Sequence, residues 1–262
     1  MRANNIIVIL ALVIAACKGS GESVPENTLP ENPAEEEFNL NGSDTKAIAW
    51  ADASMKAMGG REKWDNLGVI SWNFFGARDL IWDKPSGRVR IDFTRDSAIY
   101  LLNIHTLEGK VKRKGMDITQ PDSLKKYLPR AKSIWINDSY WLVMPFKLKD
   151  SGVTLRYLRS DTTQAGETSE VLELTFNGVG NTPQNKYEVY IDQTDSLIKQ
   201  WAYFRTASQD SASAVWPWDN YQSYNGLLLS GDRSDSRGPK DVKVYDTVPD
   251  KVFESFEAPQ LD

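Results

Sequence analysis

The chain has 262 residues, a formal charge of −5 at neutral pH, one cysteine and one histidine. A lone cysteine excludes an intramolecular disulfide, and the acidic balance argues against nucleic acid, which wants a basic face. Aromatic residues make up 11% of the chain, with nine Trp, ten Tyr and nine Phe, more than a core of this size needs.

At the N-terminus Arg2 precedes an unbroken apolar run, Ile6 to Ala16. That run has signal-peptide length and is shorter than the roughly 20 residues that span a bilayer. It ends Ile14-Ala15-Ala16-Cys17, which resembles the bacterial lipobox, so 1–16 is expected to be a signal peptide and Cys17 a lipid anchor. Loss of Arg2 with the signal leaves 30 basic against 36 acidic residues. From Lys18 to about Gly42 the composition turns to Gly, Ser, Pro, Asn and Glu, which reads as a disordered tether over 17–42. The remaining residues, 43–262, show no second linker and no repeat, and are expected to form one domain.

Ser43 or Asp44 can cap a helix from Lys46 to about Met58, with Ile48, Ala51, Met55 and Met58 on one face and Gly59-Gly60 ending it. Trp64 and Leu67 lead into strands at 70–76, 79–83 and, across Pro85-Ser86-Gly87, 88–93. In the last of these Val89, Ile91 and Phe93 alternate with Arg88, Arg90 and Asp92, the period of a sheet with one wet face. Strands are expected at 98–104 and, short and basic, at 110–114, which suits an edge or an outward turn. A second helix is read over Asp122 to Ile134, kinked or divided at Pro129. It leads into the most apolar stretch outside the leader, Ser133 to Leu148 (SIWINDSYWLVMPFKL), read as core with a strand at Tyr140 to Met144. Beyond Gly152, strands are read at 153–158, 170–176, 187–192, 197–205 and 241–245, with Gln193-Thr194-Asp195 turning a hairpin and 215–229 less regular. About ten strands in succession with two helices make an α+β protein with an antiparallel sheet.

This layout resembles the LolA/LolB type of periplasmic lipoprotein carrier. The features that carry the likeness are the helix ending Met58-Gly59-Gly60, the Trp64 and Leu67 step, the strand Ser71 to Gly76, the meander, and the closing Val248-Pro249-Asp250-Lys251-Val252-Phe253. The run Tyr140 to Leu155 (YWLVMPFKLKDSGVTL) is similar to an uncharacterised lipoprotein family of Bacteroidota. The carrier resemblance implies an unclosed, curved antiparallel β-barrel with two helices as a lid over an apolar cavity that binds a lipid or acyl chain. No carrier residue can be matched to a position here. Candidates for the concave side are Phe74, Ile91, Leu142, Met144 and Leu174. Period two puts either Trp141 with Val143 or Leu142 with Met144 inward, and Leu142 with Met144 is the pair assigned. The expected protein is a non-enzymatic lipoprotein of the cell envelope, anchored at the outer membrane.

Other chemistries have thinner support. His105 is the only histidine, and no HExxH motif, Cys pair or Gly-x-Ser-x-Gly elbow exists, so neither a metal site nor a Ser-His-Asp hydrolase is expected, and no cofactor is implied. Gly226 to Gly231 lacks the Lys-Ser/Thr of a phosphate loop. Asp92, Glu173, Glu188 and Asp192 on polar strand faces leave open a hydrolase with an acidic pair. Trp216 and Trp218 could form an exposed platform for stacking on sugar rings. The charged stretch Gly231 to Lys240 reads as an exposed loop that could gate an opening.

Overall fold

The computed structural model describes residues 31–235 and 237–261. The expected signal segment, Cys17 and the expected tether as far as residue 30 lie outside these. From residue 32 the chain is already packed, although its composition reads as tether up to Gly42. Phe38 is buried, the Lys149 ammonium binds the Asn32 carbonyl and the Asp52 carboxylate (2.6 Å), and Asn39 N–H donates to the Val153 carbonyl (3.0 Å). One apolar side chain and a few backbone bonds are enough to hold an arm that is otherwise polar.

Helix α1 (Thr45–Ala57) follows. Its N-cap residue, Asp44, bonds the Tyr157 N–H (2.9 Å) and leaves the first turn of its own helix uncapped. Gly59 ends α1 at φ 113°, and the Gly226 carbonyl would lie 2.3 Å from any Cβ placed there, so a residue without one is required. The short helix α2 (Arg61–Asp65) buries Trp64.

Six strands then form a meander: β1 (Val69–Phe74), β2 (Arg78–Asp83), β3 (Arg88–Phe93), β4 (Ala98–Asn103), β5 (Gly109–Arg113) and β6 (Met116–Ile118). Helix α3 (Pro121–Val143) runs into a 3₁₀ turn, Met144–Lys147. Five more strands follow: β7 (Val153–Thr162), β8 (Thr168–Phe176), β9 (Lys186–Asp192), β10 (Ile198–Phe204) and β11 (Ala214–Pro217). A hairpin, β12 (Asp219–Tyr224) and β13 (Leu227–Asp232), precedes β14 (Pro239–Tyr245) and the short helix α4 (Lys251–Glu254). The pairing is antiparallel throughout, in a seven-stranded sheet of order β14-β1-β2-β3-β4-β5-β6, a five-stranded sheet of order β11-β10-β9-β8-β7, and the β12-β13 hairpin. No sheet closes on itself, as expected of an unclosed α+β architecture. Among the described residues there are fourteen strands and four helices, against about ten and two expected. The extra strands are β6, β11 and the hairpin, which fall in stretches that are short, polar or, as in Leu227-Leu228-Leu229, without alternation.

The main departure is α3, which absorbs the strand expected at Tyr140 to Met144. The helical face Leu124, Leu128, Ala131 and Trp135 continues through Asp138 to Leu142, and the carboxylate at the core position hides that continuity. Asp138 is fully buried and accepts from Arg78 of β2 (2.8 Å from its Nη2). A buried carboxylate is tolerated because a guanidinium fork meets both its oxygens. Pro129 does not divide the helix. It is exposed, so the Lys125 carbonyl deprived of a helical donor faces solvent.

Two cores result. One joins the seven-stranded sheet (Ile70, Leu80, Val89, Ile91, Leu102) to Leu128, Ala131, Leu142 and Val143 of α3. The other joins the five-stranded sheet (Leu155, Leu172, Leu174, Val189, Ile191, Trp201) to Ala47 and Ala51 of α1 and to Met144, with Tyr140 and Trp141 against it. The expected wet face of β3 is dry at its centre. Arg90 is buried and donates to the carbonyls of Val252 (3.1 Å), Ser255 (2.8 Å) and Glu257 (2.8 Å), so the C-terminal segment covers it. No helix among the described residues is long and apolar enough to cross a membrane.

Candidate functional site

A cavity of about 780 Å³ lies between α3 and the five-stranded sheet. Residues 132, 135, 136, 139, 140 and 143 supply one wall, the three- and four-residue spacing of a single helical face. The facing wall comes from Phe176, Tyr187, Trp201, Tyr203 and Trp216, on β8 to β11. Register brings these strand residues together, since Tyr203 stands opposite Tyr187 and Trp201 opposite Trp216. The loop at 179–182, largely exposed, forms part of the rim, and Lys147, Asp150, Ser151 and Val153 close another side.

The rings make a continuous network. Tyr187 stacks on Trp201 (5.0 Å between centroids, 10° between planes), and Trp141 meets Trp201 (4.8 Å, 77°) and Trp216 (5.0 Å, 70°) edge to face. Such offset and T-shaped pairs are worth about 0.5–1.5 kcal/mol each beyond the area they bury. The indole N–H groups of Trp82, Trp135 and Trp201 are buried without an oxygen or nitrogen partner among the described residues. Trp82 and Trp135 meet edge to face (5.1 Å between centroids, 72° between planes). Burial raises the Tyr140 phenol well above its ordinary value and raises Tyr187 as well, so both are neutral. Apart from tyrosines, the ionisable side chains on the wall are Lys132, Lys147 and Asp150, with Lys147 bonded to Asp150. Burial pushes the Asp150 carboxyl up, opposed by the Lys147 charge.

None of the five residues expected on the concave side lines this cavity. Ile91 and Leu142 belong to the core of the seven-stranded sheet, with half-buried Phe74 against it, and Met144 and Leu174 belong to the core of the five-stranded one. Once residues 140–143 are helical, the choice between odd and even positions disappears. Tyr140, Trp141 and Val143 face the cavity while Leu142 turns to the other sheet.

Trp218 is fully buried, so no Trp216/Trp218 platform is exposed. It lies under the Arg233 guanidinium, whose Cζ is 3.3 Å from the ring centroid. Arg233 is buried within the stretch expected to be an exposed loop. It donates to Ser230 Oγ (2.8 Å) and to the Trp141 carbonyl in the last turn of α3, where unpaired carbonyls and the helix dipole favour a cation. Burial pushes its pKa down to about 9, which leaves it charged at neutral pH.

The four carboxylates considered for an acidic pair stand elsewhere. Glu173 and Glu188 are cross-strand neighbours, held by Lys186 (3.6 Å) and Arg159 (2.9 Å). Asp92 pairs with Arg90 (2.8 Å), and Asp192 accepts from the turn N–H groups of Thr194 (2.7 Å) and Asp195 (3.0 Å). His105 is exposed, and no cluster of three metal-ligating side chains occurs among the described residues.

No family model and no curated protein matches the chain. Among solved structures it is similar to a DUF1329 family protein from Desulfovibrio piger, at 11% identity and a TM-score of 0.41, covering 82% of this chain and 99% of that one. It is also similar to a LolA superfamily protein from Nitrosomonas europaea, at 12% identity and a TM-score of 0.38, over 76% and 96% of the two chains. A third likeness, to MucB in complex with MucA, has 13% identity and a TM-score of 0.23 over 82% and 62%.

Proposed function

We propose that the protein is a non-enzymatic, membrane-anchored lipoprotein of the bacterial envelope that holds a lipid or acyl chain in the cavity between α3 and the five-stranded sheet. The observation that carries this reading is the cavity itself, with nine aromatic side chains among its lining residues and a volume of about 780 Å³. Ligand sites commonly run from about 300 to 1,000 Å³ with mostly apolar walls and a few polar groups. Burial contributes about 0.8 kcal/mol per methylene, so ten methylenes supply about 8 kcal/mol before the costs of ordering the chain. The lipobox-like Cys17 supports the anchor. A glycan reading loses half its platform to the burial of Trp218, and Asp150 is the one carboxylate on the wall, which leaves a hydrolytic pair without a second member there.

The test uses the full chain carrying Cys17→Ser, purified without detergent. Mass spectrometry of an organic extract should show co-purifying lipid, and titration of delipidated protein with a long-chain fatty acid should change tryptophan fluorescence, because Trp135, Trp141, Trp201 and Trp216 line the site. Trp216→Ala, at a half-buried wall position, should weaken binding about tenfold, the loss of roughly 1.4 kcal/mol of contact. Protein that carries no lipid and gives no fluorescence response to fatty acid would refute the proposal.

A further inference from the structure

Between residues 110 and 132 the chain has eight basic and two acidic side chains, within a protein whose formal charge is −5. The fold divides this excess in two. Lys110 and Lys112 turn toward the C-terminal segment, where Lys110 bonds the Glu254 carbonyl (3.1 Å) and Lys112 lies over the Phe256 ring (4.9 Å), while Lys112 also pairs with Asp117 of β6 (3.3 Å). The others gather where the β5-β6 hairpin meets the first half of α3, a junction fastened by Arg113 donating to the Tyr127 hydroxyl (2.9 Å). Lys114 is at the hairpin tip, Lys126 and Arg130 lie on the side of α3 opposite Leu124, Leu128 and Ala131, and Lys125 and Lys132 lie on the flank between that side and the packed one. Lys114, Lys126, Arg130 and Lys132 have no ion pair among the described residues, and Lys125 has only a loose one with Asp122 (3.8 Å). Lys132 also lines the cavity, so this basic face runs continuously into the cavity wall.

We propose that the solvent face of α3 from Lys125 to Lys132, with Lys114, docks against the anionic headgroups of a lipid bilayer and holds the cavity mouth at the lipid surface. Several unpaired cations on a rigid helix, in a chain that is otherwise acidic, provide the charge complementarity that such a surface rewards. Each Lys or Arg near an anionic bilayer contributes about 1 kcal/mol, or about fivefold in affinity. The excess negative charge of the rest of the chain is repelled by the same surface, which favours the orientation with the patch toward the bilayer. The inference deepens the proposed function by saying how the cavity meets lipid, and it rests on that reading only for the identity of the cargo.

The experiment is co-sedimentation of the full chain carrying Cys17→Ser with vesicles of phosphatidylcholine alone and with vesicles of equal parts phosphatidylcholine and phosphatidylglycerol. At about 0.1 M salt the protein should bind the anionic vesicles in clear preference to the neutral ones, and several-fold higher salt should remove the preference. Replacing Lys125, Lys126 and Arg130 together by Gln, all exposed positions, should lower the affinity for anionic vesicles about a hundredfold, with the circular dichroism spectrum unchanged. Equal binding to both vesicle types would overturn the proposal. So would anionic binding that the triple substitution leaves intact. Duplex DNA and polyglutamate serve as alternative polyanions, and patch-dependent binding to either one without binding to anionic vesicles would also overturn it. Fatty-acid titration of the triple variant by tryptophan fluorescence should match the parent, so failure at the patch and failure at the cavity are read separately.

Discussion

Arg233, just past β13, ties that strand to the last turn of α3. Its guanidinium is buried without a carboxylate partner among the described residues and is held by the Trp141 and Ser230 carbonyls, the Ser230 hydroxyl and the face of Trp218. Replacing it by Ala removes two or more charge-assisted hydrogen bonds at about 1.5–3 kcal/mol each and a desolvated cation–π contact worth about 2 kcal/mol. Against this stands relief from the several kcal/mol spent in desolvating the ion. The net expectation is a loss of about 3–5 kcal/mol, because Ala also leaves a void and an orphaned carbonyl in the last turn of α3. Arg233→Met fills the void and removes the ion's desolvation cost, so it should lose only about 1–2 kcal/mol. Urea denaturation followed by circular dichroism measures both. The Trp141 carbonyl belongs to the residue whose ring stands between Trp201 and Trp216, so the Met variant should also weaken fatty-acid binding while remaining folded. An Ala variant within 1 kcal/mol of the parent would show that backbone acceptors and an indole face do not stabilise this cation, and would refute the reasoning.

Arg90→Met should release the segment that covers the outer face of the seven-stranded sheet. Hydrogen exchange at residues 252–257 should rise while exchange within β1 to β4 changes little, at a net cost of about 2–4 kcal/mol once relief from desolvating the ion offsets part of the roughly 4.5–9 kcal/mol of three charge-assisted bonds. Asp150 carries a pH signature. Its folded pKa is raised by burial, so its contribution to stability is present in full below the unfolded value of about 3.9 and is lost as pH rises through the folded value. Asp150→Asn should therefore gain on the parent between about pH 4 and neutrality, and a difference that shrinks over that range would contradict the assignment. Lys149→Met should loosen the arm at 32–39, giving faster proteolysis before Thr45, because Lys149 binds both the Asn32 carbonyl and Asp52.

Much of the strand order was legible because alternation reports a sheet with one face in the core, as in Val89, Ile91 and Phe93. The same alternation could not report that the opposite face of β3 is covered from a part of the chain 162 residues away. Helix α1 was legible through its apolar face and Gly59-Gly60. Helix α3 was cut short because Asn137-Asp138-Ser139 has the composition of a turn, and only Arg78, sixty residues earlier, makes Asp138 acceptable in a core. The cavity aromatics were visible as an excess, but their convergence depends on register. Tyr187, Trp201, Tyr203 and Trp216 meet across three strands whose pairing no local pattern specifies. Trp218 was misplaced for a similar reason, since the cation that covers it lies in a stretch otherwise rich in turn residues.

The place of β1 in its sheet has a kinetic consequence. Val69–Phe74 is among the first strands to be made, yet one of its two neighbours is β14, at 239–245. Until the last strand arrives, the β1 edge carries unpaired amide and carbonyl groups beside Ile70 and Trp72, a template for pairing with another chain. Closing a loop of this length carries an entropic cost before any contact repays it, so sheet completion is a late and slow step. An emerging or truncated chain is therefore most prone to aggregate along β1, and loss of residues beyond 238 should reduce soluble yield before it affects the cavity wall, which is built from strands that pair locally.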